Sequence, residues 1–490
     1  MSNFLQGREK VLAILLMGIF FLLNLSIASR SPVGGWMDEV FYVDPGLNLA
    51  AGKGWISTVT PYQTDHEFFA VGSPLFPGGL SLWAHFFGVS MVSARSYCYF
   101  LFALGTLLLW SGSFRFNLLT PAYRLFWIVI LSTEYGMNWM ARNDRYDVWI
   151  FVGLSLAWLG ASLNGRVKYA VIFLGGLLVS FGGFVGVPYV FFAAGLASIV
   201  TKLRVWREAV AAIIGAVSGV LGVGLFYAVN GSLQTFRTIV GHYSVAQQSG
   251  LHAPYLVFLY PREDWAVGVM IFILAILSWD RWRHPLSGSL PWLGLAWGMV
   301  VLMPCVMLLR GFFGMMYFYM LIVPLTLSLL QLISQVWAER RPHYLAIVAT
   351  VIMGALCLSG LPVRLYFSCK EWSYRDPQHR LDFVRAYIRP DDAVYSDYPF
   401  YFELRDYVRF VAMPFYYSVI PPDEAKRINV AIVDNRNVPD LSHDDSALSK
   451  FGGGWKKVAV FPTAEMMTEL QGKAFHDETY TLYRRDVGAP

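Results

Sequence analysis

Two acidic residues, Asp38 and Glu39, stand side by side in WMDEVFYVDPGLNLAAGKGW, residues 36–55. They follow closely on the first long apolar run of the chain, which puts a carboxylate pair at a membrane surface. A carboxylate placed there can take the proton of a hydroxyl as that hydroxyl attacks an electrophile. A second cluster lies in WMARNDRYDVW, residues 139–149, where Arg142, Asp144, Arg145 and Asp147 share one turn between two hydrophobic segments. Guanidiniums held beside carboxylates keep their charge, can be oriented, and can cradle a phosphate. Taken singly, this cluster also reads as interfacial charge that neutralises itself. Arg310, in LLRGFFGMMYFYMLIVP, has two readings as well: a snorkelling cation, or a phosphate contact at the mouth of a lipid-facing groove. Lys53, Tyr42 and His242 complete the candidate binding residues. Asp65, His66 and Glu67 could ligate a divalent metal, but three consecutive side chains converge on one ion only in an unusual turn.

The elements that must position these groups are membrane helices. Of 490 residues, 56% are hydrophobic and 14% charged, and the mean hydropathy is +0.48, too apolar for a soluble surface. Apolar runs predict about eleven spans, near 11–28, 94–113, 122–138, 147–163, 168–182, 185–200, 208–228, 265–280, 290–309, 315–336 and 343–361. The first resembles a signal peptide but has no convincing cleavage site, so it reads as a retained helix. The 17 Trp and 27 Tyr suit two aromatic interfacial belts. A diffuse net charge of +5 gives nucleic-acid binding no support. Cys98, Cys305 and Cys357 lie in apolar spans, Cys369 follows them, and no metal or disulfide spacing joins the four.

Basic loops set the sidedness. Arg8 with Lys10, Arg115 with Arg124, Arg166 with Lys168, Lys202 with Arg204 and Arg207, Arg281 with Arg283, and Arg340 with Arg341 all fall on one side, expected to be the cytoplasm. The opposite side then holds the long loops 29–93, 139–146 and 229–264. Two segments in them, SPLFPGGLSLWAHFFGVS and LQTFRTIVGHYSVAQQ, read as amphipathic interfacial helices. The expected domains are a membrane part, 1–368, and a soluble α/β part, 369–490, on the outer side. In the latter, Asp376-Pro377 reads as the cap and first residue of a helix ending before Pro390. VAIVDN, KVAVFP and TYTLYRR read as strands, and Thr463 as the cap of a helix ending near Gly472.

Almost no charge is expected at mid-membrane depth, where transporters place their coupling groups. The ionisable residues gather at one interface instead. In this order, the motifs resemble those of the GT-C type polyprenyl-phosphate-dependent glycosyltransferases, which include the protein O-mannosyltransferases and the lipid A aminoarabinose transferase. WMDEVFYVDPGLNLAAGKG resembles their Asp-Glu motif after the first span, with Tyr42 as its aromatic residue. GSPLFPGGLSLWAHFFGVS is similar to their proline-rich juxtamembrane helix. ARNDRYDVW resembles their Ala-Arg-Pro-Asp segment, with Asn143 in place of proline. Gly72-Ser73-Pro74 stands where some members have Glu-Lys-Pro, which leaves a divalent metal as a possible cofactor only.

The resemblance implies a polytopic α-helical GT-C like protein with a small C-terminal α/β domain. The Arg-rich inner loops fit a multi-pass protein of a bacterial inner membrane whose active site faces the periplasm, and a protein of the endoplasmic reticulum has the same handedness. The resemblance also implies a glycosyltransferase that moves a sugar from a polyprenyl-phosphate donor to a glycan, lipid or protein acceptor by inverting displacement. Asp38 would be the base, Glu39 its alternative or an orienting residue, and Asp144 would orient Arg142 or the acceptor. No Gly-rich nucleotide fingerprint offers a nucleotide-sugar site. An oligosaccharide ligase or polymerase, a lipid-linked sugar transporter and a non-catalytic assembly subunit are the other classes compatible with the pattern.

Overall fold

The computed structural model describes residues 2–31, 38–57, 59, 63–64, 67–184, 186–201, 204–248, 264–283, 290–310, 317–338, 344–373, 375–414, 420–434, 448, 451–463 and 479–485. Two compact units emerge. One comprises Met1–Leu25, Ala70–Phe76 and Arg95–Leu365; the other comprises Ser26–Phe69, Pro77–Ala94 and Tyr366–Pro490.

In chain order the helices are α1 Ser2–Ser26, α2 Asp38–Ala50, α3 Leu75–Phe87, α4 Met91–Arg115, α5 Pro121–Thr133, α6 Tyr135–Arg142, α7 Asp147–Ala161 and α8 Gly165–Gly182. They continue as α9 Gly186–Val200, α10 Trp206–Val229, α11 Leu233–Gln248, α12 Trp265–Arg283, α13 Leu290–Arg310, α14 Tyr319–Ala338, α15 Tyr344–Leu356 and α16 Leu361–Lys370. Among the described residues six are long and apolar enough to cross a membrane, or seven if the bent pair α15–α16 is one span. Helices α5, α7 and α9 are apolar but shorter, as is the Pro291–Met303 stretch of α13. Every expected apolar segment coincides with a helix, and both expected interfacial segments are helical, as α3 and α11.

The segment 122–138 departs from the single span that its hydropathy predicts. Thr120 caps α5 and Pro121 starts it, but Glu134 takes an extended conformation and its carboxylate accepts the Met137 N–H, starting a new helix. Gly360 N–H donates to the Thr133 carbonyl, and Ser359 Oγ accepts from Tyr135 N–H. Groups freed by the break are thereby satisfied, as an apolar environment demands.

Helices α7, α8 and α10 pack through small residues. A Cβ on Gly175 would lie 2.7 Å from the Gly153 carbonyl oxygen, and one on Gly215 would lie 2.1 Å from that of Phe173. Only glycine permits backbones this close. Buried Glu9 of α1 is compensated by Arg124 of α5 at 2.6 and 2.7 Å and by the indole of Trp110 at 2.9 Å.

The second unit contains α2, most of α3 and the C-terminal α/β fold. Its elements are α17 Pro377–Tyr387, β1 Ala393–Ser396, α18 Tyr401–Leu404, β2 Phe410–Ala412, α19 Pro422–Arg427, β3 Val430–Asp434, β4 Lys456–Phe461 and β5 Tyr480–Arg484. The sheet order is β2-β1-β3-β5-β4, with β2, β1 and β3 parallel and β5 antiparallel to both β3 and β4. The Asp376 side chain caps α17 as the sequence predicts, and the three expected strands are β3, β4 and β5. The helix expected after Thr463 lies outside the described residues. Tyr395, Ala431, Ile428 and Phe451 form part of the core on one face of the sheet.

Candidate functional site

The turn between α6 and α7 gathers charge inside the first unit. Asn143 caps the end of α6, and Asp144 follows at φ 45°. That left-handed conformation is one that Asp tolerates better than most side chains, and it turns the chain into α7. Asp144 is fully buried, and Arg95 of α4, also fully buried, approaches it at 4.0 Å. Arg145 Nε donates to Asp147 Oδ2 at 2.8 Å, both side chains being almost wholly buried. Its Nη2 lies 3.3 Å from the Tyr146 hydroxyl and 3.4 Å from that of Tyr317. The Tyr319 hydroxyl reaches Asp147 Oδ1 at 3.5 Å. Arg142 stacks over Trp139, 5.4 Å from the ring centroid. Among the described residues, the guanidiniums of Arg95 and Arg145 stand with the carboxylates of Asp144 and Asp147, and Arg142 ends the preceding helix α6.

An apolar cavity of about 590 Å³ adjoins this cluster. Phe151, Tyr189, Met299 and Tyr319 line it, and the Ala193, Ala194 and Ala197 side chains of α9 are too small to fill it. Tyr319 belongs to both places: its hydroxyl meets Asp147 while its residue lines the cavity. Lys168 and Glu208, themselves ion-paired, also line the cavity. The result is a polar cluster with buried guanidiniums beside an apolar cavity, an arrangement suited to an amphipathic anion.

The Asp38–Glu39 pair belongs to the second unit. It opens α2, and Glu39 is buried. Tyr42 is half-buried with its ring edge-on to Phe41. Lys53 pairs with Asp406 of the C-terminal fold at 3.0 Å. Glu67 accepts the Thr64 N–H in a turn. The side chains of Asp38, His242 and Arg310 lie outside the described residues, as does His66. Among the described residues no three His, Cys, Asp or Glu side chains gather as metal ligands. The three described cysteines, Cys98, Cys357 and Cys369, are free thiols.

Several site residues carry little signal in the sequence. Arg95 sits inside an apolar helix, and Arg364 of α16 donates to Asn138 Oδ1 at 2.6 Å and Asn24 Oδ1 at 3.1 Å. A charge within an apolar run is the one cue that could have singled out either, because such a charge needs a partner.

A second acidic pair lies at the α5–α6 break. Glu134 and Asp264 are both buried, and their carboxylates converge on the space beside Gly136, where a Cβ would meet Asp264 Oδ2 at 2.7 Å and Glu134 Oε2 at 3.5 Å. Asp264 Oδ1 accepts the Ala266 N–H ahead of α12, while Asp264 Oδ2 and Glu134 Oε1 have no hydrogen-bond donor. One proton shared between them would satisfy both. Burial pushes the Asp264 carboxyl up to about 6. A carboxyl raised in the folded state loses stability as pH rises from the unfolded value near ~4 to the folded value, with the full cost present above it and almost none below ~4. Asp264→Asn keeps the helix cap and supplies a permanent donor. It is expected to raise thermal stability in detergent at pH 8, by about 2–3 kcal/mol, with the gain vanishing by about pH 4. A gain equal at both pH values would show that no proton is shared.

The many helices and the small C-terminal sheet together have an ArnT-like fold. Among solved structures, the crystal structure of ArnT from Cupriavidus metallidurans bound to undecaprenyl phosphate is similar to this chain, with a TM-score of 0.58 and 13% identity. The similarity covers 97% of this chain and 99% of that one. No family model and no curated protein matches the sequence.

Proposed function

We propose that the protein is a glycosyltransferase that takes a sugar from a polyprenyl-phosphate carrier and passes it to an acceptor hydroxyl. The observation carrying this reading is the junction at Tyr319, where a buried cluster of arginines and carboxylates adjoins an apolar cavity of about 590 Å³. A phosphate on an isoprenoid chain has both chemistries. The ArnT structure contains undecaprenyl phosphate, which supports a prenyl phosphate as the donor's carrier.

In the proposed step, the acceptor oxygen bonds to the anomeric carbon as the bond from that carbon to the phosphate oxygen breaks, inverting the centre. Asp38 takes the acceptor proton, and Glu39 is the alternative base. The leaving phosphate needs cations more than a proton, and Arg142, Arg145 and Arg310 are the candidates. Lys53 is already held by Asp406 and is a weaker one. Asp144 orients the arginines rather than reacting. The charge of the basic loops supports a site at the non-cytoplasmic face, the periplasmic side of a bacterial inner membrane. The acceptor is a glycan, lipid or protein hydroxyl.

Extracting lipids from cells that lack the protein tests the reading. Sugar-loaded polyprenyl phosphate is expected to accumulate and the surface glycan to lose that sugar. Unchanged carrier pools and an unchanged glycan would refute it.

A further inference from the structure

The geometry of α2 points to a role for the C-terminal fold: we propose that Tyr401 and Arg405 are positioning residues that hold α2, and so the Asp38–Glu39 pair, through Asp44 and Asn48. This rests on the function proposed above.

Helix α2 is weak by itself. Pro45 lies inside it and has no N–H to give the helical hydrogen-bond ladder. The proline follows the acidic pair at the start of the helix. External contacts fix the helix on either side of it. Asp44 and Asn48 are four residues apart, so they share one face of α2, and both are buried. The buried hydroxyl of Tyr401 donates to Asp44 Oδ1. Arg405 Nη2 donates to Asn48 Oδ1 at 3.1 Å, while Asn48 Nδ2 donates to the Ile56 carbonyl at 3.0 Å. Lys53 and Asp406 add an exposed pair at 3.0 Å. Gly46 meets α3, since a Cβ there would lie 2.8 Å from the Pro77 carbonyl oxygen.

Tyr401 and Arg405 stand on and just after one short helix, α18, between β1 and β2. Burial raises the Tyr401 hydroxyl well above its ordinary range against the opposing pull of Arg405, so it stays a donor. The fold therefore supplies from 357 residues away the rigidity that Pro45 removes.

The test uses the full-length protein in lipid nanodiscs, with hydrogen exchange at the amides of 39–50 and transfer kinetics measured together. Tyr401→Phe and Asn48→Ala are each expected to speed exchange in α2 roughly tenfold, leaving β1, β3 and β5 unchanged. The same variants should lower kcat roughly ten- to a hundredfold with little change in KM for the prenyl-phosphate sugar. Asp44→Asn, which keeps an acceptor for Tyr401, should stay close to wild type in both measurements. Unchanged α2 exchange in Tyr401→Phe and Asn48→Ala would overturn the proposal whatever the activity. Faster exchange with unaltered kcat would overturn the positioning role. Faster exchange in a protein whose wild type shows no transfer would leave α2 pinned as described but remove the transferase reading.

Discussion

Asp38→Asn is expected to lower sugar transfer by roughly 10²–10⁴-fold while the protein stays folded and membrane-inserted. Asn has nearly the same size and shape as Asp and keeps a side-chain oxygen at the first residue of α2. What it loses is the capacity to take a proton. Glu39→Gln is the control, since Glu39 is the neighbouring carboxylate and is buried. Transfer rates and far-ultraviolet circular dichroism on the two purified variants decide the roles. A dead Glu39→Gln with an active Asp38→Asn would exchange them. Full activity in both would remove the base assignment altogether.

Arg145→Gln is expected to reduce kcat by roughly 10²–10³-fold and to destabilise the protein by about 3–5 kcal/mol. The stability loss has a definite cause: Asp147 stays buried after losing the guanidinium that donates to it at 2.8 Å. The double variant Arg145→Gln, Asp147→Asn separates the two effects. With the carboxylate neutral, most of the stability should return, because no uncompensated charge is left inside. Transfer should not return, because no cation has been restored for the leaving phosphate. Asp147→Asn alone should be milder, leaving Arg145 charged. Thermal unfolding and single-turnover transfer on all four proteins complete the cycle. If the double variant transfers normally, Arg145 serves the fold only.

Particular residues show how much of this was legible in advance. Apolar runs mark the helices because a lipid environment requires each segment to satisfy its own backbone, and that requirement is written in composition. The DE pair and the ARNDRYD cluster were visible for the complementary reason, as charges crowded against apolar segments. Glu134 is legible as an acidic residue near the outer face but not as a helix break, which the Met137 N–H beneath its carboxylate creates. Asp264 carried no local signal. Strands β1 and β2 are too short to stand out from their surroundings and exist through their parallel pairing with each other and β3.

By itself the sequence determined a many-helix membrane protein with a soluble α/β tail, the sidedness expected of its loops, and the two charged motifs that lead to a chemistry. These are local properties, carried by the hydropathy of single segments and the charge of the short loops between them. Only the tertiary structure decided which groups meet. It put Arg95 beside Asp144, Tyr319 between Asp147 and an apolar cavity, and Tyr401 on Asp44. Such contacts join residues far apart in the chain. They are set by how helices pack and where strands pair, and no window of sequence contains both partners.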